Sequence, residues 1–149
     1  IRDRVGSPDI HNPESVPMQK LNEWVSQEII EWWGHHEAMH NIYKLATIIC
    51  FPSYREGFPK SLLEAASCGI PIVTYDVPGS REVVIDQFNG LLVPLKNDFA
   101  LKNAIQTLLN DPSLRYSYGK SGRKLVVDKF SQEKIAAETE AVWEEVLNC

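Results

Sequence analysis

Ile49-Cys50-Phe51-Pro52-Ser53-Tyr54-Arg55-Glu56-Gly57-Phe58-Pro59-Lys60-Ser61-Leu62-Leu63-Glu64-Ala65-Ala66-Ser67-Cys68-Gly69-Ile70-Pro71-Ile72-Val73 reads, in order, as a strand, a glycine loop, a helix and a second strand. The first strand takes in Thr47 to Phe51, and the helix runs from Pro59 to Cys68 with Gly69 as its stop. Pro71 to Tyr75 is the strand that follows. Two strands joined through a helix run parallel, because the connection must cross back over the sheet.

Outward from this unit, elements of the same kinds continue in both directions. Upstream, Met18, Leu21, Trp24 and Val25 recur at helical spacing between Val16 and Gln27. Ile29-Ile30-Glu31-Trp32-Trp33 reads as a buried strand ended by Gly34, and a helix is expected from about His36 to Leu45. The turn-rich start, through Asn12-Pro13, disfavours regular structure. Downstream, Pro78-Gly79 is read as a turn, Ser80 as the cap of a short helix with Glu82 in its first turn, and Gly90 as the opening of a strand Leu91-Leu92-Val93. Asp98, Asp111 and Ser131 are expected to start three successive helices.

The resulting expectation is an α/β fold: a doubly wound, Rossmann-like parallel sheet with helices on both faces and a helical C-terminal end. Its 149 residues are read as one domain, 1–149. In such folds ligands sit beyond the carboxyl ends of the strands, where the Ser53 to Phe58 loop belongs. A 44% apolar and 23% charged composition is that of an ordinary globular protein, and neither a membrane span nor a secretory leader is read in it. The net charge of -5, with scattered lysines and arginines, gives no reason to expect nucleic acid or an anionic membrane as partner. Cys50, Cys68 and Cys149 form no spaced pair, and the first two are expected to be small core residues.

Glu56 and Glu64 bracket the helix start. A helix beginning near Pro59 points the free amides of Lys60, Ser61 and Leu62 back toward the loop, and its dipole adds roughly half a positive charge there. A diphosphate fits such a place. Pro59 suits the first helical position, where its missing amide costs nothing. Glu64 then lies roughly 7 Å along the axis, about the offset between a diphosphate and its ribose, and its carboxylate can accept from both ribose hydroxyls. Glu56 can reach the hydroxyls of a sugar, and Gly57 permits close backbone approach. Against this stands the ordinary reading, since glutamate is a good helix former and 20 residues here are acidic.

The strings Pro52-Ser53, Glu56-Gly57-Phe58, Leu62, Glu64-Ala65 and Gly69-Ile70-Pro71-Ile72-Val73 together resemble the donor-site signature of the family 4 retaining glycosyltransferases. Asp76-Val77-Pro78-Gly79-Ser80-Arg81-Glu82-Val83, Asn89-Gly90-Leu91-Leu92-Val93-Pro94 and Trp33-Gly34-His35-His36-Glu37-Ala38-Met39 resemble that family too, from roughly Val5 to the C-terminus. The resemblance implies the C-terminal, nucleotide-sugar donor-binding domain of a two-domain GT-B enzyme. It implies a hexosyltransferase retaining anomeric configuration without a bound metal or other cofactor, and using a UDP- or GDP-sugar. By that analogy Glu56 is catalytic and contacts the donor hexose, Glu64 holds the ribose, backbone from Gly57 and Phe58 through Pro59, Lys60 and Ser61 holds sugar and phosphate, and Gly34, His35 and His36 border the base. A glycan or lipid-linked acceptor is expected to be held by an N-terminal domain not in this sequence. The family's phosphate-binding arginine and lysine also have no counterpart before residue 1. Weak donor binding and no turnover are therefore expected of this chain alone; Lys60 is read either as a substitute phosphate contact or, in preference, as an ordinary exposed helix lysine. The resemblance further implies polysaccharide assembly in the cytoplasm, with peripheral membrane association at the inner face only for the longer chain.

Two readings from other classes stay open. One is a nucleotide-binding module of the same fold without catalysis. The other is a zinc hydrolase, because His36-Glu37-Ala38-Met39-His40 matches HExxH; no third ligand is offered by the nearby strand. GxSxG, GxGxxG and P-loop strings are absent from the sequence.

Overall fold

The computed structural model describes residues 16–34, 36 and 38–147. The chain divides into two compact units, Ile1–Met39 and His40–Cys149. In the first, α1 (Met18–Ser26) forms as the apolar spacing predicts and buries Leu21. The segment after it does not form the expected strand. Ile29, Trp32 and Trp33 are 62%, 45% and 51% exposed. No ladder partner pairs with them among the described residues, and an apolar run without one has no reason to extend into a sheet. The helix expected from His36 is also shorter, α2 (Met39–Tyr43), which crosses the boundary of the units.

The second unit carries the sheet. β1 (Ile49–Phe51), α3 (Lys60–Ser67), β2 (Ile72–Tyr75), α4 (Pro78–Val83) and β3 (Gly90–Val93) alternate, and the strands are parallel in the order β1-β2-β3. Ile49 pairs with Ile72, and Tyr75 with Val93. Every residue of the central strand β2 is buried, as a strand covered on both faces requires. Val73 and Tyr75 pack with Ala104 and Leu108 of α5 (Asp98–Asn110) and with Tyr118 of α6 (Pro112–Phe130). Thr74, pointing the other way, meets Ser80 of α4. Cys50, expected in the core, is exposed, and Cys68 is half-buried.

Three helix starts follow from their caps. Asp111 accepts from the Leu114 amide and Ser131 from the Lys134 amide, opening α6 and α7 (Gln132–Leu147) as expected. At α5 the cap is Asn97, one residue earlier than expected, accepting from Ala100. Ser80 is not a cap. Helix α4 starts at Pro78, whose fixed φ suits a first position, and this places Ser80 inside the helix and fully buried.

Helix α3 ends where Gly69 predicts. Gly69 has φ +75°, its amide bonds to the Ala66 carbonyl and that of Ile70 to Ala65, the paired closure a left-handed residue allows. Helix α6 packs along α3, and the Arg123 guanidinium donates to the Ser67 carbonyl, closing the last turn of α3 from 56 residues away. Among the described residues no helix is long and apolar enough to cross a membrane.

Candidate functional site

The loop Pro52–Pro59 leaves the carboxyl end of β1 and is fastened at several points. At its root, the Phe51 carbonyl accepts from the Ser53 amide at 2.9 Å and the Thr74 hydroxyl at 2.7 Å. Thr74 has one hydrogen and spends it there, so Ser80, 3.1 Å away, must be the donor to Thr74. Further along, Tyr54 stacks on Tyr75, with centroids 5.6 Å apart, and the Lys96 ammonium lies 5.2 Å from the Tyr54 ring. Burial, and then a 3.0 Å hydrogen bond to Asp98, pushes the Tyr75 phenol up, so that it remains a donor. Phe58 is tilted against Phe130 at 5.5 Å.

Between these anchors, Glu56 and Gly57 rest on Gly79 of α4. A β-carbon at Gly79 would come under 3 Å from the carbonyls of both. From sequence Gly79 reads as part of a turn and of the Asp76–Val83 string; its role in seating the loop depends on a contact made far along the chain. At Gly57 itself an added β-carbon would meet nothing within 4 Å, so packing does not demand a glycine there.

Helix α3 follows directly. Its first residue is Lys60, and Pro59, expected inside the helix, is the N-cap with extended backbone. Proline has no side-chain acceptor, so no side chain caps the helix, and its first turn has no acidic residue. The Leu62 amide, expected to be free, donates to the Pro59 carbonyl at 3.1 Å. The Lys60 and Ser61 amides have no backbone partner among the described residues. Leu62, Ala65 and Ala66 face the core at 0% exposure, which turns Lys60 and Glu64 outward, one turn apart. Glu64 lies about 6 Å along the axis from Lys60.

Glu64 has a partner that sequence reasoning missed. The buried Tyr43 side chain donates its hydroxyl to Glu64 Oε2 at 3.3 Å. Burial first, then the Glu64 charge and hydrogen bond, push the Tyr43 phenol up to about 12. Asp76, at the end of β2, accepts from Arg81, which holds its carboxyl below the usual range.

The structure thus brings Glu56, Gly57, Phe58, Pro59, Lys60, Ser61 and Glu64 onto one continuous loop and helix start. Gly34 and His36 belong to the first unit, and His35 lies outside the described residues, as does Glu37. His36 is not part of α2, so the helical pairing that HExxH requires is not formed. Among the described residues no three His, Cys, Asp or Glu side chains gather as a metal site would need.

Residues 12–125 match the family described as glycosyl transferases group 1. The capsular polysaccharide biosynthesis glycosyltransferase CapM of Staphylococcus aureus is 36% identical over 104 residues, 69% of this chain and 27% of CapM. Among solved structures, sucrose-phosphate synthase from Thermosynechococcus elongatus superposes with a TM-score of 0.80 at 32% identity, over 88% of this chain and 33% of the synthase. Anabaena HepE, solved in complex with UDP, superposes at 0.79 with 16% identity, over 95% of this chain and 39% of HepE. The last likeness is one of fold. This chain spans well under half the length of each of these proteins.

Proposed function

We propose that this chain, which belongs to the group 1 glycosyl transferases, is the donor-binding half of a retaining GT-B enzyme of the family 4 kind. Its substrate is a nucleoside diphosphate sugar, and the group transferred is a hexosyl unit passed to a glycan or lipid-linked acceptor. The supporting observation is the start of α3: a helix with no side-chain cap, two amides without a backbone partner among the described residues, a carboxylate one turn in, and Glu56-Gly57 seated immediately before it.

Each part has a chemical task. The diphosphate lies on the Lys60 and Ser61 amides, where the helix dipole favours negative charge. The Glu64 carboxylate accepts from the ribose hydroxyls, and the Lys60 ammonium adds a positive charge on the same face. Glu56 stands toward the sugar and stabilises positive charge near the reacting carbon, while the amides offset the charge left on the departing diphosphate. The bond from the anomeric carbon to the diphosphate oxygen breaks, the acceptor oxygen takes its place on the same face, and the acceptor's proton leaves with the diphosphate.

Titration with UDP- and GDP-sugars followed by protein NMR tests this. Saturable shifts centred on Gly57 to Glu64, weakened by Glu64→Ala, are expected. Turnover in a longer chain containing both halves should be abolished by Glu56→Ala. Shifts confined to other surfaces would remove the proposal. Binding without turnover across a broad donor panel would leave a nucleotide-binding module instead.

A further inference from the structure

An exposed glutamate on a helix samples several rotamers, and a ligand that needs one of them must order it, at a cost in side-chain entropy. Glu64 is held before any ligand arrives. Tyr43, 21 residues earlier, is 6% exposed, and its hydroxyl reaches Oε2 at 3.3 Å. The phenol keeps its proton far above neutral pH, so it serves only as a donor to the carboxylate. A carboxylate offers about four acceptor positions, and one hydrogen bond from below leaves Oε1 and the outward lone pairs open.

We propose that Tyr43 is a positioning residue whose hydroxyl fixes the Glu64 carboxylate in the orientation that receives ribose hydroxyls, and so sets the preference for ribonucleotide over deoxyribonucleotide donors. The inference rests on Glu64 being the ribose ligand. Its chemical content is specific: a donor whose sugar ring lacks those hydroxyls gains nothing from the pre-set carboxylate. Removing Tyr43 should therefore weaken only nucleotides that carry them. A purely structural role, in which Tyr43 merely fills space beside α3, would weaken all nucleotides alike.

The test uses the full chain and measures dissociation constants for UDP, GDP and their 2′,3′-dideoxy counterparts by NMR titration. The wild type should prefer the ribose form, and Glu64→Gln should lose most of that preference. Tyr43→Phe should weaken binding of the ribose form by roughly 3- to 10-fold, the range of one hydrogen bond, and leave the dideoxy form unchanged. In the Glu64→Gln background Tyr43→Phe should have no further effect. Replacement of Tyr43 by 4-aminophenylalanine, which keeps a donor, should restore part of the preference, and it provides the comparison should Tyr43→Phe fold poorly. Equal weakening of both forms by Tyr43→Phe would overturn the proposal while leaving Glu64 in place. So would an unchanged preference in that variant. A wild type with no preference at all would overturn the Glu64 reading, and this inference with it.

Discussion

Gly79, near the start of α4, lies directly against the carbonyl of Glu56, leaving no room there for a β-carbon. Two elements separated along the chain thereby share one surface. The height of the loop over the carboxyl end of the sheet is set by a missing side chain in the helix behind it.

Gly79→Ala separates two opposing effects. Inside a helix alanine is favoured over glycine by about 1 kcal/mol. Overpacking a well-fitted contact costs about 1–3 kcal/mol, and here the obstacle is backbone, which cannot swing aside as a flexible side chain would. The clash is expected to prevail. Denaturant melts should report a net loss of stability, and NMR shifts should spread from residue 79 to Glu56 and Gly57. A stabilised variant with an unmoved loop would contradict this.

Thr74 and Ser80 should be unequal. Thr74→Val leaves the fully buried Ser80 hydroxyl without its acceptor, and stranding such a group costs about 1–3 kcal/mol. Ser80→Ala leaves Thr74 still donating to the Phe51 carbonyl and should cost less. Urea unfolding of the two variants and of the double variant checks the order.

Tyr43 predicts an alkaline dependence. Its folded value, about 12, lies above the ordinary 10, so the native state holds the proton more tightly than the unfolded chain does. The resulting stability is complete below pH 10 and is lost as pH rises from about 10 toward 12. Tyr43→Phe should flatten this part of the profile relative to wild type. Unfolding free energies measured at intervals from pH 9 upward would reveal parallel profiles if the phenol were not so held.

Lys60→Ala should weaken every nucleoside diphosphate by a similar factor, roughly 2- to 5-fold as for an exposed charge, with no effect on ribose preference. The difference from wild type should shrink as salt is raised. A sugar-dependent or salt-independent effect would place the ammonium elsewhere than beside the phosphates.

Much of the strand, loop and helix framework was legible because its signals are local. Gly69 needs a left-handed backbone to close α3, and Asp111 and Ser131 each bond an amide three residues on. Where a signal had two local meanings, the reading slipped. Ser80 has the hydroxyl of a cap, but Pro78 two residues earlier already starts the helix. Ile29 to Trp33 has the apolar character of a strand but no ladder partner among the described residues. Glu56 and Glu64 were visible as a spaced pair, whereas Tyr43 and Gly79 act on them through contacts that exist only after the chain has folded.

The Arg123 bond to the Ser67 carbonyl has a consequence for the order of assembly. The β1-α3-β2 unit can form from contacts close in sequence, but the last turn of α3 is closed by a residue 56 positions later. Contacts across such a separation form late, because loop entropy must be lost before they contribute. The helix that presents Glu64 is therefore expected to gain its full rigidity only when α6 docks. Pulse-labelled hydrogen exchange should find the amides at the end of α3 protected together with those of α6 rather than with β1 and β2. On the proposed reading of Glu64, donor affinity would then depend on the docking of α6 as well as on the β1-α3-β2 unit.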